Sequence, residues 1–129
     1  MHLERCQDQN QRTLDEFYGE FLQADHSISR EGAQAMLGLI ARLRSQDDSR
    51  RVFGLTSHFQ LCLLAVDDYT TPWHVAIDTL GAYGFRIHYL MPDHHAPWPG
   101  AQVSAQAHTE DDALRMVLHA MELSGGWQG

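Results

Sequence analysis

The sequence predicts a two-layer α+β fold with the element order ααββββα. Three observations carry this. Residues 11–44 repeat their apolar side chains at three and four spacing, the period of a helix. From Arg51 the spacing falls toward two, the period of a strand. After Thr109 the helical period returns. Helices set apart from a run of strands point to a helical layer on an antiparallel sheet, because each single apolar stripe needs a shared surface to bury against. A length of 129 residues fits one α+β domain over 1–129.

The first helix is expected over about 11–24, where Leu14, Phe17, Tyr18, Phe21 and Leu22 fall on one stripe. Residues 1–10 are mostly polar and read as a fraying lead-in or an extension of this helix. A turn at 25–29 offers Ser27 or Ser29 as N-cap for a second helix reaching about Arg44. Its stripe is Ala33, Met36, Leu37, Ile40 and Leu43. The polar run 45–49 ends it, and the two helices make a hairpin.

Residues 58–66 are apolar on both alternating faces, as expected of a central strand. Beyond the polar loop 67–72, segments 73–80 and 85–91 form a hairpin around Gly81-Ala82-Tyr83-Gly84. Parity puts Val75, Ile77 and Thr79 on one face with Phe85, Ile87, Tyr89 and Met91. That calls for a three-residue loop from Ala82 to Gly84, with Gly84 left-handed. The fourth strand, 101–108, alternates Val103, Ala105 and Ala107 with Gln102, Ser104, Gln106 and His108. Thr109 caps the last helix, 110–123, three residues before Asp112, and Glu110 and Asp111 suit its positive end. Ala113, Leu114, Val117, Leu118 and Met121 form its stripe, and Ser124-Gly125-Gly126 stops it.

Composition narrows the function classes. Seventeen carboxylates against nine basic residues, every one arginine, give a net charge of −8. Such a surface repels phosphate, so direct nucleic-acid binding is not expected, whereas a basic protein would be drawn in. The same balance also serves plain solubility. No apolar run approaches the ~18 residues of a membrane span. The first eight residues lack the apolar stretch of a secretory signal. Cys6 and Cys62 read as two reduced thiols, which makes the cytoplasm the expected compartment.

Nine histidines invite a metal reading, but no HxH, HExxH or CxxC spacing occurs. His94 and His95 are adjacent and diverge on extended backbone, so neither a metal nor another cofactor is expected. There is no GxxxxGK or GxGxxG phosphate loop either. The hairpin register is more informative. With Gly81 facing Phe85, Asp78 lies opposite His88 on the polar face and Arg86 is its diagonal neighbour. His74 lies further along that face, and His108 approaches it from the fourth strand. A carboxylate can orient an imidazole as it does in general-base sites. No nucleophile or oxyanion donor is identifiable beside this pair, and polar cross-strand pairs are ordinary sheet stabilisers. The pair therefore reads as a structural one or as part of a binding surface rather than as a catalytic one. In a four-stranded meander the first and third connections share an end. Asp67, Asp68, Trp73, Asp93 and Trp98 would then form one acidic, aromatic edge suited to a basic partner.

Residues 85–123 resemble the sheet–helix unit of HicB-type antitoxins. Tyr89-Leu90-Met91-Pro92-Asp93, Pro99-Gly100 and Thr109-Glu110-Asp111-Asp112-Ala113 match its strand, its Pro-Asp turn ending in Pro-Gly, and its Thr-x-[DE]-[DE]-Ala helix start. The likeness covers under a third of the chain, and the turn is longer here. A helical hairpin precedes the unit and no DNA-binding segment follows its helix, so the DNA-binding half of such antitoxins is not implied. In size, charge and mixed composition the chain is also similar to small acidic immunity proteins of bacterial toxin systems. The resemblances imply a non-enzymatic binding protein that neutralises a toxin or other effector. The alternative is a small enzyme or metal-binding protein using His88 and Asp78 with His74 or His108. A secretion chaperone, acidic and dimeric at this size, ranks third because no second helix interrupts the strands. A homodimer remains compatible with each.

Overall fold

In the computed structural model, which describes residues 1–127, the elements run β1 (His2–Arg5), α1 (Leu14–Glu20), α2 (Ser27–Arg44), β2 (Arg51–Ser57), β3 (Gln60–Leu64), β4 (Val75–Thr79), β5 (Phe85–Leu90), β6 (Gln102–Ala107) and α3 (Glu110–Ser124). The α+β class and the flanking helices agree with the sequence reading. Among the described residues, however, the sheet has six strands rather than four. Its spatial order follows the chain from β1 to β6; β1 pairs with β2 in parallel and every other pair is antiparallel.

The first extra strand is β1, where a fraying lead-in was expected. It pairs Leu3 with Val52 and buries Met1, Leu3 and Cys6. The Met1 ammonium donates to the Gln46 carbonyl at 2.6 Å, just past the negative end of α2. The second is β2, which precedes the strand expected over 58–66; that expected strand is β3, shorter than expected. β2 and β3 form a hairpin closed by His58-Phe59, with Ser57 facing Gln60. His58 takes a positive φ of 54° there, a place usually filled by Gly or Asn.

The helix boundaries shift for local reasons. α1 begins at Leu14 with a full capping box: Glu16 N–H donates to Thr13 Oγ1 at 3.1 Å, and Thr13 N–H donates to Glu16 Oε1 at 2.9 Å. It tightens into a 3₁₀ turn over Phe21–Gln23. Neither Ser27 nor Ser29 caps α2; its N-cap is His26, with no side-chain hydrogen bond. Leu39 is buried in α2 where Leu37 was expected, and in α3 Ala120 is buried whereas Leu118 is only half-buried. Thr109 caps α3 as predicted, accepting from Asp112 N–H at 3.1 Å.

All three helices cover one sheet face. Leu14, Tyr18, Met36, Ile40, Val117 and Met121 meet Val52, Leu61, Leu63, Val75, Ile77, Phe85 and Ile87 in one core. The opposite face holds a smaller apolar cluster of Phe53, Cys62, Leu64 and Ala76, edged by Leu55 and Trp73. Cys6 and Cys62 are both buried and unpaired.

The β4–β5 hairpin keeps the predicted parity but not the predicted loop. Thr79 faces Phe85, Ile77 faces Ile87 and Val75 faces Tyr89. The connection is therefore the five residues 80–84, closed by Leu80 N–H donating to Gly84 O at 2.8 Å. Gly84 adopts φ 110° and ψ −135°, a positive-φ conformation outside the left-handed helical region. A Cβ at Gly84 would overlap the Ala107 carbonyl oxygen. The position needs a glycine for both reasons.

Candidate functional site

The chain presents two candidate surfaces, and the first is the sheet end where the β3–β4 and β5–β6 connections meet. Pro72, Trp73, Leu90, Asp93, Gly100 and Gln102 line a common surface hollow of about 380 Å³ there, so the two loops meet through Trp73 and Asp93, while Asp67, Asp68 and Trp98 do not line it. The carboxylates at this end have different tasks. Asp67 Oδ1 accepts from Gln7 N–H at 2.7 Å, and its carbonyl accepts from Gln7 Nε2 at 2.9 Å, which ties down the segment after β1. Asp68 Oδ1 accepts from Thr70 N–H at 2.9 Å and from its hydroxyl at 2.6 Å. These bonds favour the ionised form and hold the Asp68 carboxyl below its usual range. Asp93 is exposed.

The aromatic residues divide similarly. Trp73 is half-buried against the Phe53 cluster and acts as a structural pin. Trp98 is 67% exposed, and Tyr69 and Val66 in the other loop are 58% and 51% exposed. Tryptophan is usually well covered, so a Trp held in water by flanking prolines is informative. Tyr69 and Val66 were missed in the sequence because nothing in a polar loop tells an outward aromatic from a pinned one. Neither loop contains an arginine, although the exposed Arg51 begins β2 at the same sheet end.

The second surface is the sheet face away from the helices. Asp78 stands directly opposite Arg86, and His88 stands opposite Ala76. The predicted Asp78–His88 opposition is thus off by two residues, because the loop is two residues longer. The contact survives on the diagonal, with His88 Nε2 2.9 Å from Asp78 Oδ2. Gln60 Nε2 donates to the same Asp78 oxygen at 3.1 Å. The other imidazole nitrogen, Nδ1, lies 2.6 Å from Ser104 Oγ. An unbroken line of hydrogen bonds therefore runs from Gln60 through Asp78 and His88 to Ser104. Ser104 was not singled out in the sequence, since the long β5–β6 connection leaves their register open. Arg86 is exposed beside this line and has no ion-pair partner among the described residues.

Two histidines expected on this face lie elsewhere. His74 N–H donates to Leu63 O at 3.0 Å, although Val75 is the register partner of Leu63. That extra residue turns His74 toward Trp127, at 5.5 Å between rings, and burial lowers its pKa. His108 is exposed at the start of α3, near Asp112. The Cys62 thiol is pushed up to about 11, first by burial and then by the Asp78 charge, so it is not a thiolate nucleophile. His94 and His95 do not diverge as expected, since their rings lie 4.1 Å apart and tilted by 47°, yet among the described residues no group of three His, Cys, Asp or Glu could hold a metal ion.

An Asp–His–Ser line supplies an orienter, a base and a hydroxyl. Ser104 sits mid-strand rather than on a turn or a helix N-terminus, the places that present paired N–H groups to an oxyanion. No helix among the described residues is long and apolar enough to cross a membrane. No family model, curated protein or solved structure matches the chain.

Proposed function

We propose that this chain is a non-enzymatic binding protein that neutralises a basic protein, in the manner of an antitoxin or immunity protein, through the loop end bearing Asp68, Tyr69, Trp73, Asp93 and Trp98. The observation that carries the reading is the exposure of Trp98 in one loop and of Tyr69 and Val66 in the other, both loops carrying carboxylates and no arginine. Charge of one sign speeds encounter with a basic partner, and aromatic area slows release. Asp67 shapes the end rather than touching the partner. The resemblance of residues 85–123 to HicB-type antitoxins, and of the whole chain to small acidic immunity proteins, points to a cytoplasmic toxin or effector as that partner. A net charge of −8 argues against direct contact with nucleic acid.

Co-purification from the native host followed by mass spectrometry names the partner, and binding kinetics then test the surface. Trp98→Ala is expected to speed dissociation by about tenfold or more, the equivalent of losing an interface anchor. Asp93→Asn should mainly slow association, and only at low salt. Both variants should melt like wild type. If both bind like wild type, the loop end is not the interface.

A second reading, favoured by the Asp78–His88–Ser104 line, is acyl transfer. Ser104 Oγ would attack an ester carbonyl while His88 Nδ1 takes its proton and returns it to the leaving alkoxide. The open face and the mid-strand place of Ser104, which presents no paired N–H groups to an oxyanion among the described residues, put this reading second. A fluorophosphonate adduct on Ser104, lost in His88→Ala, would promote it; an unlabelled wild type would retire it.

A further inference from the structure

The two edges of the sheet are unlike. β1 is four residues long and charged, with Glu4 paired to Arg51 at 2.9 Å. β6 is six residues long, carries no charge or proline, and pairs with β5 in unbroken register. Gln102 to Gln106 are all exposed. Met91 N–H donates to Ala101 O at 2.9 Å, so the odd-numbered residues of β6 aim their backbone groups at β5. Gln102, Ser104 and Gln106 aim theirs outward. None of the usual protections of an edge strand is present.

The helix side of this edge is also unfinished. α3 covers β4 and β5 but leaves a mostly apolar groove of about 220 Å³ along β6, lined by Tyr89, Val103, Ala105, Met116 and Leu123 together with His119. Val103 and Leu123 remain 38% and 45% exposed.

We infer that β6 pairs antiparallel with β6 of a second copy of this chain, continuing the sheet across a two-fold axis at Ser104. With that axis, Gln102 faces Gln106 of the second copy and Val103 faces its Ala105. All outward backbone groups then find partners, and the two grooves close over one apolar seam. Charge decides the occupant. β6 offers no carboxylate to hold a basic strand and no cation to hold an acidic one, whereas two copies of β6 meet with no like-charge pair along the strand. A second copy brings to the seam a strand as neutral as β6 itself. The self-pairing is separate from the proposed partner surface: the loop ends bearing Trp98 lie at opposite ends of the joined strands, so each copy keeps its own.

Sedimentation equilibrium of the full chain over roughly a hundredfold concentration range is the test. The expected result is a monomer–dimer equilibrium. Gln106→Pro removes an outward N–H and leaves the β5 ladder intact, a change tolerated on edge strands. Val103→Lys sets like charges along the seam. Each should weaken the dimer by about tenfold or more without lowering the melting temperature measured at concentrations where the wild type is monomeric, while Trp98→Ala should leave the dimer unchanged. A wild type that stays monomeric throughout, a dimer surviving both seam variants, or one lost on Trp98→Ala overturns the proposal. None of these results depends on whether the loop end binds a basic protein.

Discussion

Replacing Gly84 with Ala should destabilise the domain by more than about 4 kcal/mol, the range reserved for a clash that nothing can relieve. Gly84 combines φ 110° with ψ −135°, where an L side chain is strained before any neighbour is counted. The added Cβ would also meet backbone: the Ala107 carbonyl and, at 2.9 Å, His108 Cα. Ala107 cannot retreat, because it is paired with Phe85 in the same corner. Gly100 is the control. It also has a positive φ, 78°, yet a Cβ there meets nothing within 4 Å. Gly100→Ala should therefore cost only conformational strain, about 1 kcal/mol. Urea denaturation of both variants separates the two contributions, and equal losses would show that the β5–β6 corner yields.

Tyr18→Ala should cost about 3–5 kcal/mol, as aromatic truncations in a core do. Tyr18 is fully buried, edge-on to Phe17 at 5.0 Å and to Phe59 at 5.2 Å between ring centroids. Its hydroxyl donates to the Phe59 carbonyl at 3.0 Å, which fastens α1 to the β2–β3 turn. Burial pushes the phenol pKa well up, so the group stays a neutral donor. Tyr18→Phe removes only the bond and should cost about 0.5–1.5 kcal/mol. A loss below about 1 kcal/mol for the alanine variant would mean that α1 is not docked as described.

Parts of this molecule were legible because their signals are local or periodic. Thr109 followed three residues later by Asp112 marked the start of α3, and the bond between them forms. Val75, Ile77, Phe85 and Ile87 were assigned to the core face by parity alone, which a shift of two residues leaves intact. The same shift changes which residues stand directly opposite, so Asp78 met Arg86 rather than His88. The strand β1 was not legible: four residues are too few to show a period, and their partners lie beyond two helices. His58 hid a turn because it fills a place where Gly or Asn would have advertised one. For the candidate site, Trp98 and the acidic loops could be read from composition. The bond between Ser104 and His88 could not, since it depends on how a long loop sets one strand against another.

The placement of β1 has a kinetic consequence. His2 pairs with Arg51, so this strand cannot dock until the helical hairpin between them has been made and folded back. Closing so long a loop for a four-residue reward is an event for late in folding. On a growing chain, the segment bearing Leu3 and Cys6 emerges before both helices and its partner strand and must wait for them. In the native state the same arithmetic runs backward: a short edge strand held across a long loop is the first to peel away. Its departure would uncover the flank of Arg51–Gly54 for a moment. A second chain whose own first strand is free could fill that gap, which makes exchange of β1 between chains the natural misstep of this fold under destabilising conditions.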